Sequence, residues 1–182
     1  MNRLKYHYEN VIRQDLLYKC NYNNIMEVPK IVKIIVNGSI KNEVNSKRMV
    51  LSFLVALELI SGQKLTLARA KKSIAAFKLR TNDPIGCKVT LRGKPVYNLL
   101  DKLITTVWPR LRDFQGLKPT FDSSGVNYNI GLDNLLLFPE LERHYYLFES
   151  LHGANLTIVT SAKTKEEAKL LLSSFQIPLL ST

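Results

Sequence analysis

Acid is scarce in this sequence. Its 182 residues hold 15 Asp and Glu against 26 Lys and Arg, for a net charge of +11. That imbalance says nothing about fold. It favours anionic partners, nucleic acid first and acidic membrane second. Cysteine is scarcer still: Cys20 and Cys87 are too few for a Cys-rich zinc site, neither belongs to a CxxC pair, and free thiols in a reducing compartment are expected. No apolar run approaches the roughly 18 to 20 residues of a membrane span, and no secretory core is present. Glu9 and Asp15 in the first helical stretch argue against a transit peptide. His7, His144 and His152 show neither metal-ligand spacing nor a partnered nucleophile. There is no GxxxxGK followed by Ser or Thr, so the lysines do not form a triphosphate cradle. A basic amphipathic helix with exposed aromatics, the mark of a membrane-surface protein, is also missing. Nothing implies a cofactor.

What is present concentrates between Arg69 and Gly93. Arg69, Lys71, Lys72, Lys78 and Arg80 come before any acid, with Phe77 the bulky aromatic among them. Gly86 to Arg92 then alternates: Cys87, Val89 and Leu91 point one way, Lys88, Thr90 and Arg92 the other. A cationic segment therefore runs into a strand with one apolar face and one basic, hydrogen-bonding face. Phosphates and base edges need such donors.

With 46% hydrophobic and 23% charged residues, the chain is expected to fold as one domain over residues 1–182. Helical spacing predicts a first helix over 3–18, a helix apolar nearly all round and hence buried over 46–60, and a third from Pro95 to Val107. Ser61-Gly62-Gln63 stops the second. Thr164 with Glu167 predicts a capping-box start to a last helix ending near Phe175. Strands are predicted over 30–37, with Val32, Ile34 and Val36 inward, and over 64–68, with Leu65 and Leu67 inward. Further strands follow at 86–92, 126–132 and 154–160. Residues 110–125 read as a long loop, and 138–150 as loop with a short helix. The strands share a pattern, an aliphatic face opposite one collecting Lys33, Asn37, Lys88, Thr90, Arg92, Asn127, Asn129, Asn155 and Thr157. An α+β fold follows: an antiparallel sheet covered by helices on one side, with a polar face open to RNA.

Several stretches resemble one known family. They are Ile60-Ser61-Gly62-Gln63-Lys64, the run Lys71 to Arg80, and Pro84-Ile85-Gly86-Cys87-Lys88-Val89-Thr90-Leu91-Arg92-Gly93. Asn21-Tyr22-Asn23, Val28-Pro29-Lys30, Pro109 to Phe114, Phe121-Asp122, Asn127-Tyr128, Phe138-Pro139-Glu140 and Ala162-Lys163-Thr164 follow in the same order. Together they are similar to the universal 5S rRNA-binding protein of the large ribosomal subunit, the L-five family, over almost the whole chain.

The resemblance implies a five-stranded antiparallel sheet with helices on one face, placed in the central protuberance. It implies that Lys33, Asn37, Gln63 and Thr90 grip 5S rRNA; Lys64, Lys88 and Arg92 complete the candidate rRNA-binding set. The segment Lys71 to Asp83 would be an extended loop touching peptidyl-site tRNA, with Lys71, Lys72, Ser73, Phe77, Lys78 and Arg80 as candidate contacts. The regions 110–125 and 134–146 would face a small-subunit head protein in an intersubunit bridge, with Arg110 and Arg112 as candidates. Ala76 stands where the family usually has Gly, Lys71 where it has Arg, and Gln115 where it has a basic residue. Gly38-Ser39-Ile40 replaces its turn after the first strand. This drifted bacterial-type sequence without a presequence is expected in the mitochondrial matrix, a bacterial cytoplasm being the alternative. The rival function is a general RNA-binding or RNA-processing factor using Asp113 and Asp122, with Glu140 completing the carboxylate set.

Overall fold

The computed structural model describes residues 2–39, 47–77, 79–112, 114–149, 151 and 153–180. The predicted Lys78 and Asp113 lie outside the described residues, as does the side chain of Phe77. The architecture is an α+β fold on an open antiparallel sheet of five strands in the order β2-β3-β1-β5-β4. The strands are β1 (Ile31–Ser39), β2 (Thr66–Arg69), β3 (Pro84–Leu91), β4 (Tyr128–Leu132) and β5 (Ala154–Thr160). The helices are α1 (Arg3–His7), α2 (Arg13–Cys20), α3 (Lys47–Ser61), α4 (Lys94–Lys102), α5 (Pro139–Glu142), α6 (Tyr145–Phe148) and α7 (Lys165–Ser174).

Contacts gather into two compact units. One comprises Met1–Ile34, Leu91–Ile130 and Thr157–Thr182. Its first helical stretch is capped by the Asn2 side chain and passes from α1 to α2 through a π-helical turn at Tyr8–Ile12. Leu4, Tyr8, Ile12 and Leu16 are buried at helical spacing, as the sequence pattern predicts. Tyr8 stacks on Phe175 with ring centroids 5.8 Å apart, and its hydroxyl donates to Pro29 O at 3.1 Å. Pro95 lies in the first turn of α4, and Val96, Leu99, Leu100, Leu103 and Val107 are buried. Glu167 N–H donates to Thr164 Oγ1 at the start of α7, one half of the expected capping box, while the Glu167 carboxylate accepts from Lys163 N–H, one residue before the N-cap.

The other unit comprises Ile35–Thr90 and Gly131–Leu156. Here α3 lays Val50, Phe53, Ala56, Leu57 and Ile60 into the core. A Cβ added to Gly38 of β1 would come within 2.2 Å of the Phe53 ring, and one added to Gly86 of β3 within 2.3 Å of Gly38 O. Both glycines are therefore set by close approach, helix to strand and strand to strand. Gly62, at φ +66°, ends α3, its N–H bonded to Glu58 O at 2.8 Å.

Three expectations need correction. Helix α3 is not buried all round: Leu51 is 61% exposed, and Val55 and Leu59 share its outer side. A helix lying on a sheet can bury only one stripe, however apolar its other side is. Leu65 is buried but precedes β2, while Leu67 inside β2 is exposed. Leu67 pairs with buried Cys87, but β2 is the edge strand, so packing stops one strand short of it. At the entry to β1, Ile31 is buried and Val32 exposed, reversing the predicted parity. There Lys30 N–H donates to the Ser161 hydroxyl and Lys30 O accepts Ser161 N–H, both at 3.0 Å, so a neighbouring segment flanks the strand's start.

Candidate nucleic-acid interface

Strand β3 presents the two faces its sequence alternates. Cys87, Val89 and Leu91 are buried, Lys88 and Arg92 exposed, and Thr90 half-buried. Burial among apolar groups, with the Glu58 carboxylate nearby, pushes the Cys87 thiol up to about 11, so it stays protonated at neutral pH. The outward side chains are the chemically available ones.

Besides Lys88, the second unit carries the candidates Asn37, Gln63, Lys64 and Thr90. Asn37 is exposed on β1. Gln63 follows the glycine stop of α3, and its Nε2 lies 3.5 Å from Thr90 O. Thr66, the first residue of β2, pairs with Lys88, and Lys64 lies exposed two residues before it. The Glu58 carboxylate accepts Leu65 N–H at 3.1 Å and fixes the turn that delivers Gln63 and Lys64 to β3. Lys33, half-buried on β1, and Arg92, at the end of β3, belong to the first unit.

None of Lys33, Lys64, Lys88 or Arg92 has an ion-pair partner among the described residues. Ion pairs among the described residues include Arg3 with Asp101 at 2.5 Å, Lys5 with Glu9 at 3.5 Å and Lys163 with Glu27 at 3.2 Å, none of which uses these four. Charge left uncompensated on an exposed face is available to phosphates.

The extended segment 70–83, Lys78 aside, is closed as a hairpin by backbone bonds. Ala70 N–H bonds to Asp83 O at 2.8 Å and Asn82 N–H to Ala70 O at 3.0 Å. Ile74 and Leu79 exchange both backbone bonds, at 3.1 and 3.2 Å. Ser73 Oγ donates to Leu79 O, and Asp83 Oδ2 accepts Arg80 N–H at 2.8 Å, so Ser73 serves the hairpin's own closure. Lys71, Lys72 and Arg80 are exposed and have no ion-pair partner among the described residues. Arg69, exposed on β2 just before them, extends the cationic surface and is absent from the predicted set. Its place in the acid-free run is the signal that includes it.

Residues 24–80 match the family model for ribosomal protein L5, and residues 84–179 match the model for the C-terminus of the same ribosomal family. The chain belongs to the ribosomal protein L5 family. It is 52% identical over 179 residues to the large ribosomal subunit protein uL5m of Reclinomonas americana, covering 98% of each chain. The two family matches in this L5 chain meet at the closing end of the 70–83 hairpin.

The remaining candidates lie elsewhere in the L5 chain. Arg110 and Arg112 are exposed where the helical stretch from α4 ends. The following segment is not featureless: Phe121 bridges Tyr128, and Leu117 bridges Leu179. Asp122 organises its turn, accepting Ser124 N–H at 2.9 Å, Asn127 Nδ2 at 2.7 Å and the Ser124 hydroxyl. Those side-chain hydrogen bonds from Ser124 and Asn127 hold its carboxyl below the usual range. Its lone pairs are thus engaged in holding a turn, the role opposite to the one an RNA-processing reading needs. Glu140 belongs to the other unit. Among the described residues, no cluster of three or more His, Cys, Asp or Glu could hold a metal ion.

Proposed function

We propose that this L5-family protein is a structural constituent of the large subunit of a mitochondrial ribosome and binds 5S rRNA. Asn37, Gln63, Lys64, Lys88 and Thr90 form the centre of the contact, and Lys33 and Arg92 add charge. The observation that carries this reading is the uncompensated, exposed face of β3 beside the Gln63 turn. The uL5m relative supports both the subunit and the organelle.

Binding on this reading is architectural. Lysines and arginines neutralise phosphates and release counterions, so affinity falls with salt. Gln63, Asn37 and Thr90 supply directional hydrogen bonds to a folded RNA recognised by shape rather than duplex sequence. The 70–83 hairpin carries Lys71, Lys72 and Arg80 to a second RNA, peptidyl-site tRNA. Its backbone closure prepays part of the ordering entropy of that contact. Arg110 and Arg112, with the Asp122-organised segment, face a small-subunit head protein in an intersubunit bridge. No step of this function involves bond chemistry.

The test is competition between 5S rRNA and an unrelated RNA of equal length over a salt series. Preference for 5S rRNA that persists as salt rises supports the reading. Equal affinity at every salt concentration defeats it and leaves a general RNA-binding face.

A further inference from the structure

Gly131 occupies an exposed position inside β4, and its φ lies outside the left-handed region. A Cβ added to it meets nothing within 4 Å among the described residues. Neither backbone conformation nor internal packing therefore calls for glycine there. A glycine in a strand interior costs entropy and side-chain contacts, and often marks a place where a ligand comes close to the backbone. Its neighbours are different. Added Cβ atoms on Gly38 and Gly153 would come within 2.2 Å of Phe53 and 2.5 Å of Leu132 O, so packing accounts for both.

Gly131 lines a hollow of about 310 Å³ with Ser39, Asp133 and Asn155, where β1 and β4 end and β5 begins. The hollow lies within the second unit. It is at the small end of the range for ligand sites, suited to one nucleotide rather than a helix. Its chemistry differs from the β3 face. Among the described residues no lysine or arginine lines it, and the Asp133 carboxylate opposes a phosphate. Asn155 offers an amide donor and acceptor, Ser39 a hydroxyl, and Asp133 acceptors only. None of these three side chains has a hydrogen-bond partner among the described residues.

We propose that this hollow seats a single unpaired guanine of ribosomal RNA. Guanine carries adjacent N1–H and N2–H donors on its Watson–Crick edge, which one carboxylate can accept together; unstacked RNA bases are commonly read on that edge. Asp133 is the acceptor, Asn155 and Ser39 bond the remaining polar edge, and Gly131 leaves the floor bare for the ring. This deepens the rRNA-binding reading and rests on it.

The test follows backbone amide resonances of Gly131, Asp133 and Asn155 in the full chain. The probes are a uridine hexamer with one central guanosine and an all-uridine hexamer. The guanosine oligomer should give saturable shifts, with at least fivefold weaker binding of the uridine control. Asp133→Asn should remove that difference. Gly131→Val should abolish the shifts without lowering Tm, because its side chain enters open space and β-branched residues suit strands. Equal shifts with both oligomers, or none at these residues, would overturn the proposal. Parallel titration with 5S rRNA separates the two readings. If 5S rRNA binds selectively and Gln63→Ala weakens it while the guanosine oligomer leaves the hollow untouched, only the guanine seat is lost. If the oligomer binds there but 5S rRNA is not preferred, the seat stands and the 5S reading falls.

Discussion

Lys88→Ala and Gln63→Ala should weaken RNA binding in different, separable ways. Lys88 is exposed on β3 without an ion-pair partner among the described residues, and the part proposed for it is one phosphate contact. Removing it should reduce the slope of log affinity against log salt by about 0.7 to 0.9 and weaken binding to all RNAs alike. Gln63 carries no charge, so its removal should leave that slope unchanged. The loss is a directional hydrogen bond, about 1 kcal/mol, rising to about 3 if an RNA group is left buried and unpaired. That corresponds to a roughly 5- to 150-fold loss for 5S rRNA, and much less for an unrelated RNA. Stability should hardly register the change. The internal contact from Gln63 Nε2 to Thr90 O, at 3.5 Å, is at the outer limit for a hydrogen bond, so unfolding free energy should stay within about 0.5 kcal/mol. Fluorescence anisotropy of labelled 5S rRNA at several salt concentrations reads both quantities. A changed slope for Gln63→Ala, or an unchanged slope for Lys88→Ala, would refute the division of labour.

Three further outcomes follow from the fold. Burial raises Cys87 to about 11 and Tyr8 and Tyr128 to about 12. Each neutral form is favoured by folding, so the associated stability is complete below the unfolded values of 9.0 and 10.0 and is lost as pH rises through about 11 to 12. Circular dichroism should show Tm falling across that alkaline window; a flat Tm to pH 12 would contradict it. Gly38→Ala should cost about 1–3 kcal/mol in denaturant titration, because the new methyl group meets the Phe53 ring at 2.2 Å; unchanged stability would show that the strand and helix are not so closely packed. In hydrogen exchange of the free protein, the amides of Ile74 and Leu79 should be slower than those of Lys71 and Lys72, since only the former form the hairpin rung. Uniformly fast exchange would mean that the hairpin does not close without RNA.

Strand polarity was the most legible feature, because alternation carries its own geometry. Lys88 and Arg92 lie opposite Cys87, Val89 and Leu91, as their order requires. Helix α3 was less legible. Leu51, Val55 and Leu59 are as apolar as Val50, Phe53 and Leu57, and composition alone cannot say which stripe faces the sheet. Leu67 misled for a related reason: strand parity gives a face, not whether cover extends to the edge. The π-helical turn at Tyr8–Ile12 leaves apolar spacing nearly intact, so no pattern announced it. Of the candidate site, charge and the Gln63 turn could be read in order along the chain. The hollow at Gly131 could not, because Ser39, Gly131, Asp133 and Asn155 come together only through the pairing of distant strands.

On the proposed function, the outer face of β3 beside Gln63 is held against 5S rRNA in the assembled subunit. A photocrosslinking amino acid at position 88, incorporated into mitochondrial large subunits, tests it most directly. A crosslink to 5S rRNA is expected, and it should disappear when the same residue is placed at buried position 89. A crosslink at position 88 to a protein or to another RNA, with 5S rRNA present and unlabelled, would contradict it.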